Sequence, residues 1–131
     1  MDLVVTTAVQ MRFSDIDSFG HVNNLSQQAY FDLGKVELFD RLAALTDAER
    51  RVPAVLVSLH TEFIKQIRFG DDIRVVTEIE GIGRKSLTVF QRIMRGEEEC
   101  ARCRSVMVTF DKERDMSVDV PEEWRAAIGL K

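Results

Sequence analysis

The order of elements in the sequence predicts an α+β protein in which a five-stranded antiparallel β-sheet wraps one long central α-helix, with a short C-terminal helix. Three observations carry this. One strand-like run and one long helical pattern are followed by four strand-like runs, joined by the short glycine-containing segments "RFGDD", "GIGRK" and "RGEEE". Such links hold antiparallel neighbours, because parallel strands need a crossover of a dozen or more residues. The helical pattern carries two apolar stripes spanning more than half its circumference, so it needs cover on several sides. The 131 residues are 45% hydrophobic, enough for one ordinary core, and no repeat, low-complexity stretch or linker divides residues 1–131 into more than one domain.

In residues 3–13, Leu3, Val5, Val9, Met11 and Phe13 alternate with Thr6, Gln10 and Arg12, with Val4 and Ala8 as exceptions, the period of a strand. Residues 24–45 follow as the helix, with Leu25, Ala29, Leu33 and Val36 on one stripe and Tyr30, Gly34, Leu38, Leu42 and Leu45 on the other. It runs out in "TDAERRV" before Pro53. Strands are expected at 54–67, 72–81, 86–95 and 99–110, and a short helix in "DVPEEWRAAIGLK", with Pro121 in its first turn and Trp124 and Ile128 one turn apart.

A net charge of −4 offers no general attraction for nucleic acid or an anionic membrane. No stretch approaches the roughly 18 apolar residues of a membrane span, and "MDLVVTTAVQMRF" lacks the basic and apolar regions of a secretory leader, so a cytoplasmic protein is expected. Cys100 and Cys103 form a lone CxxC in a strand-like run, where residues three apart face opposite sides unless a bulge intervenes. No second pair completes a metal site.

The chemistry crowds into residues 11–31, "MRFSDIDSFGHVNNLSQQAYF", between the first strand and the helix. The run from Asp15 opens like a calcium loop but puts Phe19 and Ser26 where oxygen and bidentate glutamate ligands belong. A transition-metal site from Asp15, Asp17 and His21 lacks a fourth ligand, and neither a metal nor another cofactor is expected. Asn23 or Asn24 suits the N-cap of the helix, and the free N–H groups of its first turn suit an oxyanion. With Asp17 upstream as base or nucleophile, this is the equipment of acyl transfer. The plainer alternative is that Asp15 and Asp17 cap turns and His21 fills a polar pocket.

"RFSDIDSFGHVNN" resembles the signature of the 4-hydroxybenzoyl-CoA thioesterase-like branch of the hotdog-fold acyl-CoA thioesterases, in which such a run joins the first strand to the central helix. "YFDLGKVELF", "RFGDDIRV" and "GIGRKSLTV" extend the likeness over nearly the whole chain. The resemblance implies a hotdog fold and hydrolysis of an acyl-CoA, or an acyl carrier protein thioester, to a free acid. Asp17 would act as nucleophile or general base, and a backbone N–H near Asn24 would polarise the carbonyl. His21 and Asn23 would shape the site, and Asp15 would fix the loop. Arg84, Lys85 and Ser86 on a tight turn suit the phosphates of CoA, with Lys112 and Arg114 a weaker alternative. Two positions depart from many relatives: Gln27 replaces an aromatic residue and Lys35 an arginine.

Two other functions compete: a hotdog hydratase or dehydratase using Asp17 and His21, and a non-catalytic acyl-CoA-binding protein. An exposed sheet edge is a liability that proteins cover, so a homodimer or homotetramer is expected. The polar row Ser58, His60 and Glu62 is a candidate for its interface, with the wall of a pocket as the alternative.

Overall fold

The computed structural model describes residues 3–46 and 52–129. Five strands and one long helix appear in the expected order: β1 (Val4–Ala8), α1 (Asn24–Ala43), β2 (Ala54–Phe63), β3 (Arg74–Ile82), β4 (Ser86–Arg95) and β5 (Glu98–Asp111). A two-residue strand, β6 (Met116–Ser117), and α2 (Glu122–Ile128) complete the chain. The sheet runs β1-β3-β4-β5-β2 with all neighbours antiparallel, and β6 pairs with β5. This is the hotdog arrangement, with α1 lying in the curl of the sheet.

Alternation fixes the faces. In β3, Val75, Thr77 and Ile79 are buried, and in β4 Leu87, Val89, Gln91 and Ile93 are buried, all turned toward α1. Leu38 and Leu42 of α1 meet Val5, Leu87, Val89 and Trp124 of α2 in one half of the core. Tyr30 and Phe31 meet Ile67, Val75, Ile93 and Cys103 in the other. The opposite face of the sheet is solvated, and there Arg104 forks onto Glu80 and lies over the Phe90 ring.

Four expectations need correction. β1 stops at Ala8, because the chain then swings into a 3-10 turn at Phe13–Asp15. This leaves Phe13, which alternation assigns to the apolar face, 85% exposed. β2 ends at Phe63: the N–H groups of Ile64 and Lys65 both turn to the Cys100 carbonyl, and residues 64–68 leave the edge. Cys100 and Cys103 are both buried in the same half of the core, because the β4–β5 register slips between Ile93 and Met94 and makes Cys100 the extra residue of a bulge. Both thiols are free.

The fourth correction concerns α1, which is covered on one side rather than several. Tyr30, Phe31, Gly34, Leu38 and Leu42 are buried, but the stripe of Leu25, Leu33 and Val36 stays exposed. The sheet curls around one flank only. Beside that stripe lies β2, whose inner residues Leu56, Leu59 and Phe63 stand opposite buried Met107, Ser105 and Ala101 and are themselves about half exposed.

Candidate active site

The junction between β1 and α1 is built by local hydrogen bonds that the sequence dictates. Asn23 is the N-cap of α1: its side chain accepts from the Leu25 N–H at 2.7 Å, and its carbonyl takes the Gln27 N–H. Just upstream, residues 17–21 close a tight turn, with the Asp17 N–H on the His21 carbonyl at 2.9 Å and the Gly20 N–H on the Asp17 carbonyl at 3.1 Å. Gly20 has φ of 81°, a conformation that a side chain would strain. The Asp17 Oδ1 accepts from the N–H groups of Phe19 and His21, at 2.9 and 3.2 Å. Its Oδ2 has no hydrogen bond among the described residues.

Asp15 sits one turn deeper and is buried. It accepts from the Arg12 N–H at 3.0 Å and the Tyr30 hydroxyl at 2.7 Å, and its own carbonyl takes the Asn23 N–H at 2.8 Å. One residue therefore ties the 3-10 turn, the helix cap and the second turn of α1 together. The Arg12 N–H above all, helped by the Tyr30 hydroxyl and the Arg12 charge, outweighs burial and holds the Asp15 carboxyl below the usual aspartate value. Burial, then the bond to Asp15, pushes the Tyr30 phenol far up.

The turn at 64–71 locks against this junction. Val22 N–H bonds the Ile67 carbonyl at 2.7 Å, and His21 bridges Arg68. The Arg68 N–H bonds Asp71, which pairs with Arg95 at 2.8 Å. Asp17, His21, Asn24 and Gln27 then line one cleft of about 660 Å³, walled by Phe19 and by Phe63 and Ile64 from the end of β2. The first N–H of α1, at Asn24, has no partner among the described residues. A carboxylate with one free oxygen and a helix N-terminus thus face one space, the pairing needed to attack a carbonyl carbon while holding its oxygen.

The other candidate residues lie elsewhere. Arg84, Lys85 and Ser86 form the β3–β4 turn at the far end of the sheet, where Arg84 pairs with Asp119 at 3.1 Å and Arg125 donates to the carbonyls of Gly83 and Arg84. Nine-residue β3 separates that turn from the junction, roughly 26 Å at about 3.3 Å per residue. Lys112 and Arg114 follow β5, with Arg114 at 3.7 Å from Asp111. His60 is exposed on the outer face of β2, 3.7 Å from Glu62. Lys35 is buried beside Asp32, at 3.8 Å. Gln27, which the sequence marked only as a departure, and Tyr30, which it marked only as apolar, both join the site. Among the described residues no group of three or more His, Cys, Asp or Glu is placed to hold a metal ion. Among the described residues, no helix is long and apolar enough to cross a membrane.

A curled antiparallel sheet around one helix, with the acid-bearing junction at the helix head, defines a hotdog-fold thioesterase-like protein. The profile of the thioesterase-like superfamily matches residues 11–128, and the chain belongs to that family. A predicted thioesterase from Bacillus stearothermophilus is 29% identical and superposes with a TM-score of 0.86, over 97% of this chain and 95% of that one. A thioesterase from Thermus thermophilus, solved with coenzyme A and Zn, is 26% identical with a TM-score of 0.83, over 95% and 97% of the two chains. An uncharacterized Bacillus subtilis protein, YsmA, is 28% identical over 116 residues, 88% of this chain and 78% of that protein.

Proposed function

We propose that the protein is an acyl-CoA thioesterase that hydrolyses a thioester to free acid and CoA. The carrying observation is the state of Asp17: Oδ1 is tethered by two backbone N–H groups, Oδ2 has no hydrogen bond among the described residues, and the residue lines the cleft that also receives the head of α1. The tether aims Oδ2 without rotamer search, so orientation is set before substrate arrives. As general base, Oδ2 takes a proton from water as the oxygen attacks the thioester carbon. The Asn24 N–H holds the developing oxyanion, and collapse expels the CoA thiolate, which recovers the proton. As nucleophile, Oδ2 bonds to the same carbon and the C–S bond breaks to release CoA thiolate; water then adds to the resulting anhydride, freeing the acid and the Asp17 carboxylate, and the proton so released goes to the thiolate. His21 shapes the wall of the cleft.

The relative from Thermus thermophilus solved with coenzyme A supports a CoA thioester as substrate. The Arg84–Ser86 turn is the proposed site for the CoA phosphates, and a dimer bridges the gap of roughly 26 Å to Asp17. If β2 pairs antiparallel with β2 of a second copy, strand direction reverses across the two-fold axis. The Ala54 end of that copy, beside its own Arg84–Ser86 turn, then meets the Phe63 end of this one, beside Asp17. The exposed inner face of β2 and the bare stripe of α1 are the surfaces that such pairing would cover.

The test is thiol release from a panel of acyl-CoAs, with hydration of a 2-enoyl-CoA run in parallel. Asp17→Asn is expected to fold and to lose at least about 100-fold in turnover, roughly 2.7 kcal/mol of barrier. Near-full turnover in Asp17→Asn with a lowered Tm would reduce Asp17 to a turn cap and sink the mechanism.

A further inference from the structure

The β3–β4 turn spends its backbone acceptors on the protein and keeps its donors. The Gly83 carbonyl accepts from the Arg125 guanidinium at 2.6 Å, and the Arg84 carbonyl from the same group at 3.2 Å and from the Val120 N–H at 2.9 Å. The Lys85 carbonyl accepts from the Thr109 N–H at 3.0 Å. By contrast, the N–H groups of Arg84 and Lys85 and the Lys85 ammonium have no hydrogen-bond or ion-pair partner among the described residues. Two successive free N–H groups beside cations suit an anion.

One donor of the turn is already taken. The Arg84 Nε donates to the Asp119 Oδ1 at 3.1 Å, and the two side chains are 81% and 60% exposed, so a ligand can reach both. Asp119 does not drift there by chance. The Val118 N–H is bonded to the Thr109 carbonyl and the Val120 N–H to the Arg84 carbonyl, so the backbone on either side of Asp119 is tied down with its carboxylate at the turn. Arg84 and Asp119 line a cavity of about 480 Å³ together with Glu122 and Arg125. Two guanidiniums there stand against two carboxylates, and no net charge draws a phosphate in.

We propose that Asp119 is an affinity determinant that competes with the phosphates of CoA for the Arg84 guanidinium. The assignment rests on reading the Arg84–Ser86 turn as the CoA phosphate site. A phosphate that takes Arg84 must displace Asp119 and then remain beside its charge, and both effects oppose binding. An exposed ion pair is weak, so Asp119 gives way to the phosphate rather than excluding it. The grip on CoA is loosened for product as much as for substrate, which suits an enzyme that must let CoA go at every turnover.

The experiment measures Kd for CoA by titration calorimetry at low ionic strength in wild type, Asp119→Asn, Arg84→Ala and the double variant. Asparagine keeps the size of the side chain and removes its charge. The expected result is that Asp119→Asn binds CoA at least about threefold more tightly than wild type, a gain that loss of stability cannot produce. Arg84→Ala is expected to bind more weakly than wild type, and adding Asp119→Asn to it to change Kd by less than about twofold, because the competition runs through Arg84. Unchanged or weaker binding by Asp119→Asn overturns the assignment. So does a gain that persists in full in the Arg84→Ala background, which would make Asp119 one more negative charge near the ligand. Both outcomes leave the turn standing as the CoA site, whereas a wild-type Kd in Arg84→Ala removes Arg84 from that site and the assignment with it.

Discussion

Asp15 and Asp17 are two residues apart and meet opposite environments. Asp15 is buried, its Oδ2 taking both the Arg12 N–H and the Tyr30 hydroxyl while its Oδ1 lies 3.6 Å from the Arg12 guanidinium, and Asp17 has Oδ1 held and Oδ2 without a hydrogen bond among the described residues. Their spacing places both on the inside of the junction, but only packing against Tyr30 assigns them different work. A pH prediction follows for Asp15. Its carboxyl is held below the ordinary value of 3.8, so the folded state binds this proton more weakly than the unfolded chain does. The stabilisation is therefore complete above about pH 4 and is lost as pH falls through the lower folded value. Melting curves of Asp15→Asn are expected to show a lower Tm at neutral pH and a shallower fall on the acid side than wild type. Parallel acid limbs in the two proteins would show that Asp15 contributes no such linkage.

At the scale of elements, α1 is pressed onto the sheet through Gly34. A Cβ built there meets the Thr77 hydroxyl, the Gln91 Nε2 at 2.8 Å and a Val75 methyl at 2.9 Å. The same Gln91 Nε2 donates to the Phe31 carbonyl at 2.7 Å and to Thr77 at 3.0 Å, so the residue under the helix is held and cannot step aside. Two effects oppose each other in Gly34→Ala. Alanine favours the helix by about 1 kcal/mol, and overpacking of a fixed core costs about 1–3 kcal/mol. With three atoms to displace, the upper end applies, and a Tm drop of about 5 °C or more is expected in calorimetry. A raised Tm would show that the helix and sheet can separate without loss.

For the whole molecule, the proposed dimer makes each site from Asp17 of one copy and the basic turn of the other. Sedimentation is expected to show a dimer or a multiple of it at assay concentration, and a fully active monomer would remove the idea. A mixing experiment is sharper. Arg84→Ala with Lys85→Ala should raise KM for acyl-CoA, because phosphate contacts supply binding more than transition-state stabilisation. Co-refolded with Asp17→Asn and assayed well below KM, this double variant should regain about a quarter of wild-type rate. Half the dimers are then mixed, and each mixed dimer has one intact site. No recovery would mean that Asp17 and the turn act in one chain or that CoA lies elsewhere.

The sequence by itself determined the elements, their order and the identity of the junction, because each leaves a local mark. Alternation records a half-buried strand, Asn23 before an apolar run records a cap, and "DSFGH" records a turn closed by its own aspartate. Tertiary structure alone decided which stripe of α1 is buried, that Cys100 sits on a bulge, and that β3 holds Arg84 far from Asp17. It also decided that Gln27 keeps one amide oxygen without a partner among the described residues. Each of these depends on contacts between residues far apart in the chain, as Gln91 and Phe31 are 60 positions apart, and no local pattern records where such partners fall.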